Sequence, residues 1–95
     1  MRLTEIIWKT RFQYKLLIKH GVSTEEVEDV IFGKPFIVKV AKGNVKNEDV
    51  YEAFGHTGEG RYLVVFFIHK KRGIALPISA RDMDPAEREY YARHK

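Results

Sequence analysis

Apolar side chains recur at helical spacing through the first third of the chain and switch to strand spacing from Phe36 onward. Ile6 and Trp8 fit a short first strand leading into a helix over about Thr10 to His20. Within that helix Phe12, Leu16, Leu17 and His20 recur at helical spacing, while Arg11, Lys15 and Lys19 form an i, i+4, i+8 row on another face. Gly21 predicts the stop, because glycine takes the left-handed conformation that follows a helix at little cost. Ser23 and Glu26 stand at the spacing of a capping box, each side chain answering the other's backbone N–H, so a second helix opens at Ser23. Glu25, Glu26 and Glu28 suit its positive end, Val27, Val30 and Ile31 give it a buried face, and Gly33 and Pro35 end it.

Phe36, Val38 and Val40 alternate with Ile37, Lys39 and Ala41 as in a half-buried strand, closed by the turn residues Gly43 and Asn44. A second strand spans about Asp49 to Gly55, before a glycine-rich loop from His56 to Gly60. The apolar run from Tyr62 to Ile68, opened by Arg61, predicts a central strand covered on both faces. Lys70, Lys71, Arg72 and Gly73 turn the chain, and Ile74 to Ala80 returns as the last strand. Pro77 has no ladder donor, so either its nitrogen faces outward or the strand is an edge there. Asp84, Pro85 and Glu87 read as N-cap, N1 and N3 of a terminal helix bearing Tyr90 and Tyr91. This order predicts an α+β fold in a single domain over residues 1–95. A curled antiparallel sheet of about four strands, with a possible short N-terminal strand, packs against two N-terminal helices and one C-terminal helix.

Composition narrows the class. Ninety-five residues bury one core and no second. The longest apolar run falls far short of the ~20 residues of a membrane helix, and Glu5, Lys9 and Arg11 interrupt any leader-like stretch, so a cytoplasmic location is expected. Without cysteine there is no disulfide and no thiolate zinc site. His20, His56, His69 and His94 lack the i, i+4 spacing of a histidine metal pair, and no nucleotide or other cofactor motif is present. The 17 basic against 13 acidic residues give a net charge of +4, a modest attraction toward a polyanionic or acidic partner.

Two strings go beyond this generic picture. One is Lys19-His20-Gly21-Val22-Ser23, its histidine twelve residues after Trp8. The other runs from Gly60-Arg61-Tyr62-Leu63-Val64-Val65-Phe66 to Ile78-Ser79-Ala80-Arg81, followed by Glu87 and Tyr90. Their order and spacing, from Trp8 to Tyr91, resemble the BrnT family of type II toxins, small proteins with a RelE-like ribonuclease fold. The resemblance implies a toxin that cleaves RNA and arrests growth. It also implies a BrnA-like antitoxin with a ribbon-helix-helix domain, through which the complex contacts operator DNA. The chain departs from the family's pattern at Lys9, Thr10, Phe12 and Leu16. Asp49 and Val50 stand where the family has a Glu-Arg pair, and Asp82 where it often has lysine, which marks a divergent member. Two alternatives remain open: a catalytically weakened toxin-like protein that binds antitoxin or RNA, and a small basic nucleic-acid-binding domain.

Metal-free RNA cleavage needs a base for the 2′-hydroxyl, a cation for the phosphoryl oxygens and an acid for the leaving oxygen. Arginine suits the second task, because its planar guanidinium holds two phosphate oxygens at once. Arg81, at a strand end before a helix, is the first candidate and Arg61 the second; the plainer reading of each is a solvated surface arginine. His20 is the candidate acid or base, against the plainer reading of a histidine that caps its own helix. Lys19, Lys15 and Arg11 are candidate RNA contacts. His56 is a further candidate acid, and Tyr90 a candidate for stacking on a base. Glu87 reads first as half of a capping box, and of Asp49 and Glu52 only one can face a cleft on a regular strand.

Overall fold

The computed structural model describes residues 1–41 and 48–95; the turn expected at Gly43 and Asn44 lies outside them. The elements are β1 (Glu5–Ile6), α1 (Thr10–His20), α2 (Thr24–Phe32), β2 (Phe36–Ala41), β3 (Val50–His56), β4 (Tyr62–His69), β5 (Ile74–Asp82) and α3 (Pro85–His94). The helix signals read from sequence are realised locally. Gly21 adopts φ 62°; its N–H donates to Leu17 O and that of Val22 to Leu16 O, closing α1. Both expected capping boxes form, Ser23 with Glu26 and Asp84 with Glu87.

The sheet has the order β1-β5-β4-β3-β2. β2 to β5 form the expected antiparallel meander, but the short first strand joins β5 in parallel, through Glu5↔Ile74 and Ile6↔Ala75. The five-stranded sheet is therefore mixed. Antiparallel hairpins follow from short turns, whereas β1 is carried to the opposite edge from β2 by two intervening helices, which removes the hairpin constraint. Its anchor is Gly73, whose carbonyl accepts from Thr4 N at 2.9 Å.

Pro77 also falls where ladder bonding lapses. β1 covers β5 only as far as Ala75. The β4–β5 register then shifts between Phe66, opposite Ser79, and Phe67, opposite Pro77, which leaves Ile78 as the extra residue of a bulge.

Two layers pack on the sheet. Under α1 and α2, Leu16, Val22, Val27, Val30 and Ile31 meet Ala53, Leu63, Val65, Phe67, Ala75 and Ala80. Under α3, Tyr91 and half-buried Tyr90 meet Phe54, Val64, Met83, Tyr62 and Phe36. β4 contributes to both layers, as its continuous apolar run predicts.

Two glycines make different demands. Gly73 has φ 76°, and a Cβ there would stand 2.6 Å from Arg2 O; Gly21 has φ 62° with open space around it. Gly21→Ala is expected to cost about 1 kcal/mol, the left-handed penalty alone. Gly73→Ala should cost more and loosen β1. Urea denaturation measures both, and equal losses would contradict the close packing of β1 on Gly73.

Candidate active site

β-strand alternation sorts the polar residues into two clusters on opposite sides of the sheet. Arg81 stands opposite Val64 and Asp82 opposite Leu63. Arg81 therefore shares the α3 side with Val64, and Asp82 shares the α1/α2 side with Leu63.

On the α3 side, Arg81 forms a two-pronged pair with Glu87: Nη1 donates to Oε1 at 2.6 Å and Nη2 to Oε2 at 2.8 Å. The guanidinium also lies 5.6 Å from the centroid of the Phe66 ring. Glu87 is held at its other side by the helix start, where Oε1 accepts from Asp84 N at 2.9 Å. Glu52 faces the same layer, since it pairs with Phe66, which in turn pairs with Ser79. Asp49, the alternative weighed from sequence, is bonded to Lys39 Nζ at 3.0 Å. Glu52 and Glu87 are pushed in opposite directions. Burial raises the Glu52 carboxyl, and the Glu87 charge adds to this against an opposing pull from Arg81. The Arg81 hydrogen bond holds Glu87 below the usual carboxylate range despite burial. Two carboxyl groups set apart in this way around one arginine are suited to different protonation states.

α3 crosses this face and divides it. Its Glu87, Tyr90 and His94 side meets Arg81, Phe54 and Phe36, with the Tyr90 ring centroid 5.4 Å from Phe54 and 5.7 Å from Phe36. Its Arg88 and Tyr91 side meets Tyr62. His56, exposed at the end of β3, stands edge-on to Tyr62 at 6.1 Å and is therefore across the helix from Arg81.

On the other side of the sheet Arg61 is a hub. Its Nε donates to Asp82 Oδ1 at 2.7 Å, Nη1 to Glu26 Oε1 at 3.1 Å and to Gly21 O at 3.0 Å, and Nη2 to His20 O at 3.2 Å. One side chain thus ties the end of α1, the start of α2 and the end of β5 together. The Arg61 hydrogen bond lowers the Asp82 carboxyl, against burial, with a smaller contribution from His20. His20 and Arg61 are brought together; Arg81 is not with them. Lys19, Lys15 and Arg11 are exposed on α1, on this same side of the sheet, and Arg11 lies over the ring of Phe12 at 4.7 Å. The sheet separates the three candidate catalytic residues, because Arg61 and Arg81 enter it with opposite pleat.

Among the described residues no three His, Asp or Glu side chains group as a metal site, and no helix is long and apolar enough to cross a membrane. Residues 8–87 match the model of the ribonuclease toxin BrnT of type II toxin–antitoxin systems. The chain belongs to the BrnT family. It is accordingly the toxin component of a type II system, of the ribonuclease class. The crystal structure of the Brucella abortus ribonuclease toxin BrnT superposes with a TM-score of 0.62 at 17% identity, covering 85% of this chain and 99% of that one. No curated protein matches the sequence significantly. Glu52 is the residue that sequence reasoning left unresolved; its signal was a lone carboxylate at an alternating position among strand apolars.

Arg61→Ala should destabilise this BrnT-family toxin by roughly 1.5–3 kcal/mol, because four hydrogen-bonded groups lose one shared cation. Arg61→Lys restores only part, lacking the planar fork. Because Asp82 and Glu26 are held below ordinary values of 3.8 and 4.5, their stabilisation is present above those values. It is lost as pH falls through the lowered folded-state values. Melting curves from pH 7 to about pH 3 should therefore converge for parent and Arg61→Ala; parallel curves would show that the hub carries no charge linkage.

Proposed function

We propose that this toxin cleaves RNA without a metal ion on the α3 side of its sheet, with Arg81 as the phosphate-binding group. The observation that carries this reading is the Arg81–Glu87 pair. A carboxylate fills both prongs of a guanidinium, in the geometry by which arginine holds two oxygens of a phosphate. RNA phosphate would take the place of Glu87, beside the open sheet surface at Phe66 and the partly accessible Tyr90 ring. The 2′-oxygen then attacks the adjacent phosphorus, and Arg81 stabilises the charge that builds on the phosphoryl oxygens.

In this reading the toxin acts in the cytoplasm, and its partner is a BrnA-like ribbon-helix-helix antitoxin through which the complex reaches operator DNA. The same ion pair favours a second reading. An arginine already satisfied by Glu87 suits a weakened toxin that binds RNA or antitoxin but turns over slowly. In that reading Lys15, Lys19 and Arg11, exposed on α1, hold RNA or protein remote from Arg81.

A cleavage assay on single-stranded RNA in the presence of chelator separates the readings. Arg81→Ala is expected to lower the rate ~10²–10³-fold, as for loss of one oxyanion donor; a melting curve of the variant separates this from any loss of stability on unpairing the part-buried Glu87. Cleavage that Arg81→Ala leaves unchanged removes the site. Salt-dependent RNA affinity without cleavage by the parent favours the weakened toxin.

A further inference from the structure

Cleavage at Arg81 also needs a group to take the proton of the 2′-hydroxyl. The two histidines considered for such work lie elsewhere, His20 beneath the sheet with Arg61 and His56 across α3. We infer that Glu52 is the general base of this site, presented to an Arg81-bound phosphate across the ring of Phe66. The inference rests on the cleavage reading.

Three observations converge on it. Phe66 is the direct cross-strand neighbour of Glu52, a relation that places Cβ atoms about 5 Å apart. The same ring lies 5.6 Å from the Arg81 guanidinium, so both side chains rise beside one aromatic floor. Arg81, on the next rung of the same face, and its partner Glu87 are the charges that act on the Glu52 carboxyl. The position is also rigid, because β3 is paired on both edges, with Val38 and Phe66 flanking Glu52. On the same face, Val38 and Ser79 share the Glu52 rung and Phe36, Phe54 and Val64 share the next with Arg81, while Tyr90 of α3 packs on Phe54 and Phe36 and His94 on Phe36.

The environment tunes the group for the task. Burial and the Glu87 charge raise the Glu52 carboxyl above 4.5, which makes its ionised form a stronger base than an ordinary carboxylate. A phosphate arriving at Arg81 adds a further negative charge and pushes in the same direction. In the step itself, Glu52 takes the 2′-proton while the 2′-oxygen bonds to phosphorus and the bond from phosphorus to the 5′-oxygen breaks. Water protonates the departing 5′-oxygen, and the products are a 2′,3′-cyclic phosphate and a 5′-hydroxyl.

Glu52→Gln keeps the shape and removes the base. Because the ionised form is penalised in the fold, this variant should fold at least as well as the parent at neutral pH. Single-turnover cleavage of a short single-stranded RNA is expected to fall ~10²–10⁴-fold, with RNA affinity retained and the acidic limb of the pH–rate profile flattened. Carboxyl NMR titration gives a readout independent of activity: Glu52 should titrate above its ordinary value, and Glu87→Gln should bring it down. A cleaving parent whose Glu52→Gln variant cuts equally fast overturns the assignment alone, as does a Glu52 that titrates at its ordinary value. Absence of cleavage by the parent removes the cleavage reading and this assignment together.

Discussion

β4 is hydrogen-bonded on both edges and carries apolar side chains to both faces, so each of its side chains goes either under α1 and α2 or under α3. That constraint governs the chemistry as much as the packing. Leu63, Val65 and Phe67 commit one face to the N-terminal helices. Val64 and Phe66 commit the other to α3. Residues on β5 inherit the same division through the ladder, which sends Asp82 toward Arg61 and Arg81 toward Glu87. A slip of β5 by one residue would turn Arg81 toward the side of Arg61 and Asp82 toward that of Glu87, and would carry the apolar residues of β5 to the wrong faces. The bulge at Ile78 sits between Arg81 and the β1 edge, so the register around Arg81 differs from the register at the edge.

Most of the fold was legible because its signals are local. Capping boxes, a stop glycine and a proline at N1 involve residues three or four apart, and each formed as the sequence implied. The parallel pairing of β1 was not legible: it depends on a carbonyl at Gly73, far along the chain, which no nearby pattern encodes. Of the candidate site, the residue types were legible and their arrangement was not. Arginine chemistry pointed to Arg81 and Arg61 together, yet the parity of the ladder separates them, and that parity needs the β4–β5 register, which a bulge obscures. His20 was attractive by its titration range, but its backbone carbonyl is what the fold engages.

The hub at Arg61 gives a physical meaning to one departure from the family pattern. Position 82, read from the resemblance as a departure from lysine, carries Asp82, bonded to Arg61 through both oxygens. A lysine there would meet a guanidinium already shared with α1 and α2. Asp82 instead completes a three-way clamp in which the C-terminal carbonyls of α1 meet a cation and the capping carboxylate of α2 meets the same one. With these partners Arg61 ties three elements together at one corner of the scaffold.

Glu87 serves two masters, the first turn of α3 and the guanidinium of Arg81. When an anion displaces it from Arg81, the capping bond from Asp84 still holds the carboxylate in its half-buried place, now without a counter-cation. Its affinity for a proton must then rise, so anion uptake at Arg81 is thermodynamically linked to proton uptake at Glu87. By reciprocity, acidification favours anion binding at Arg81.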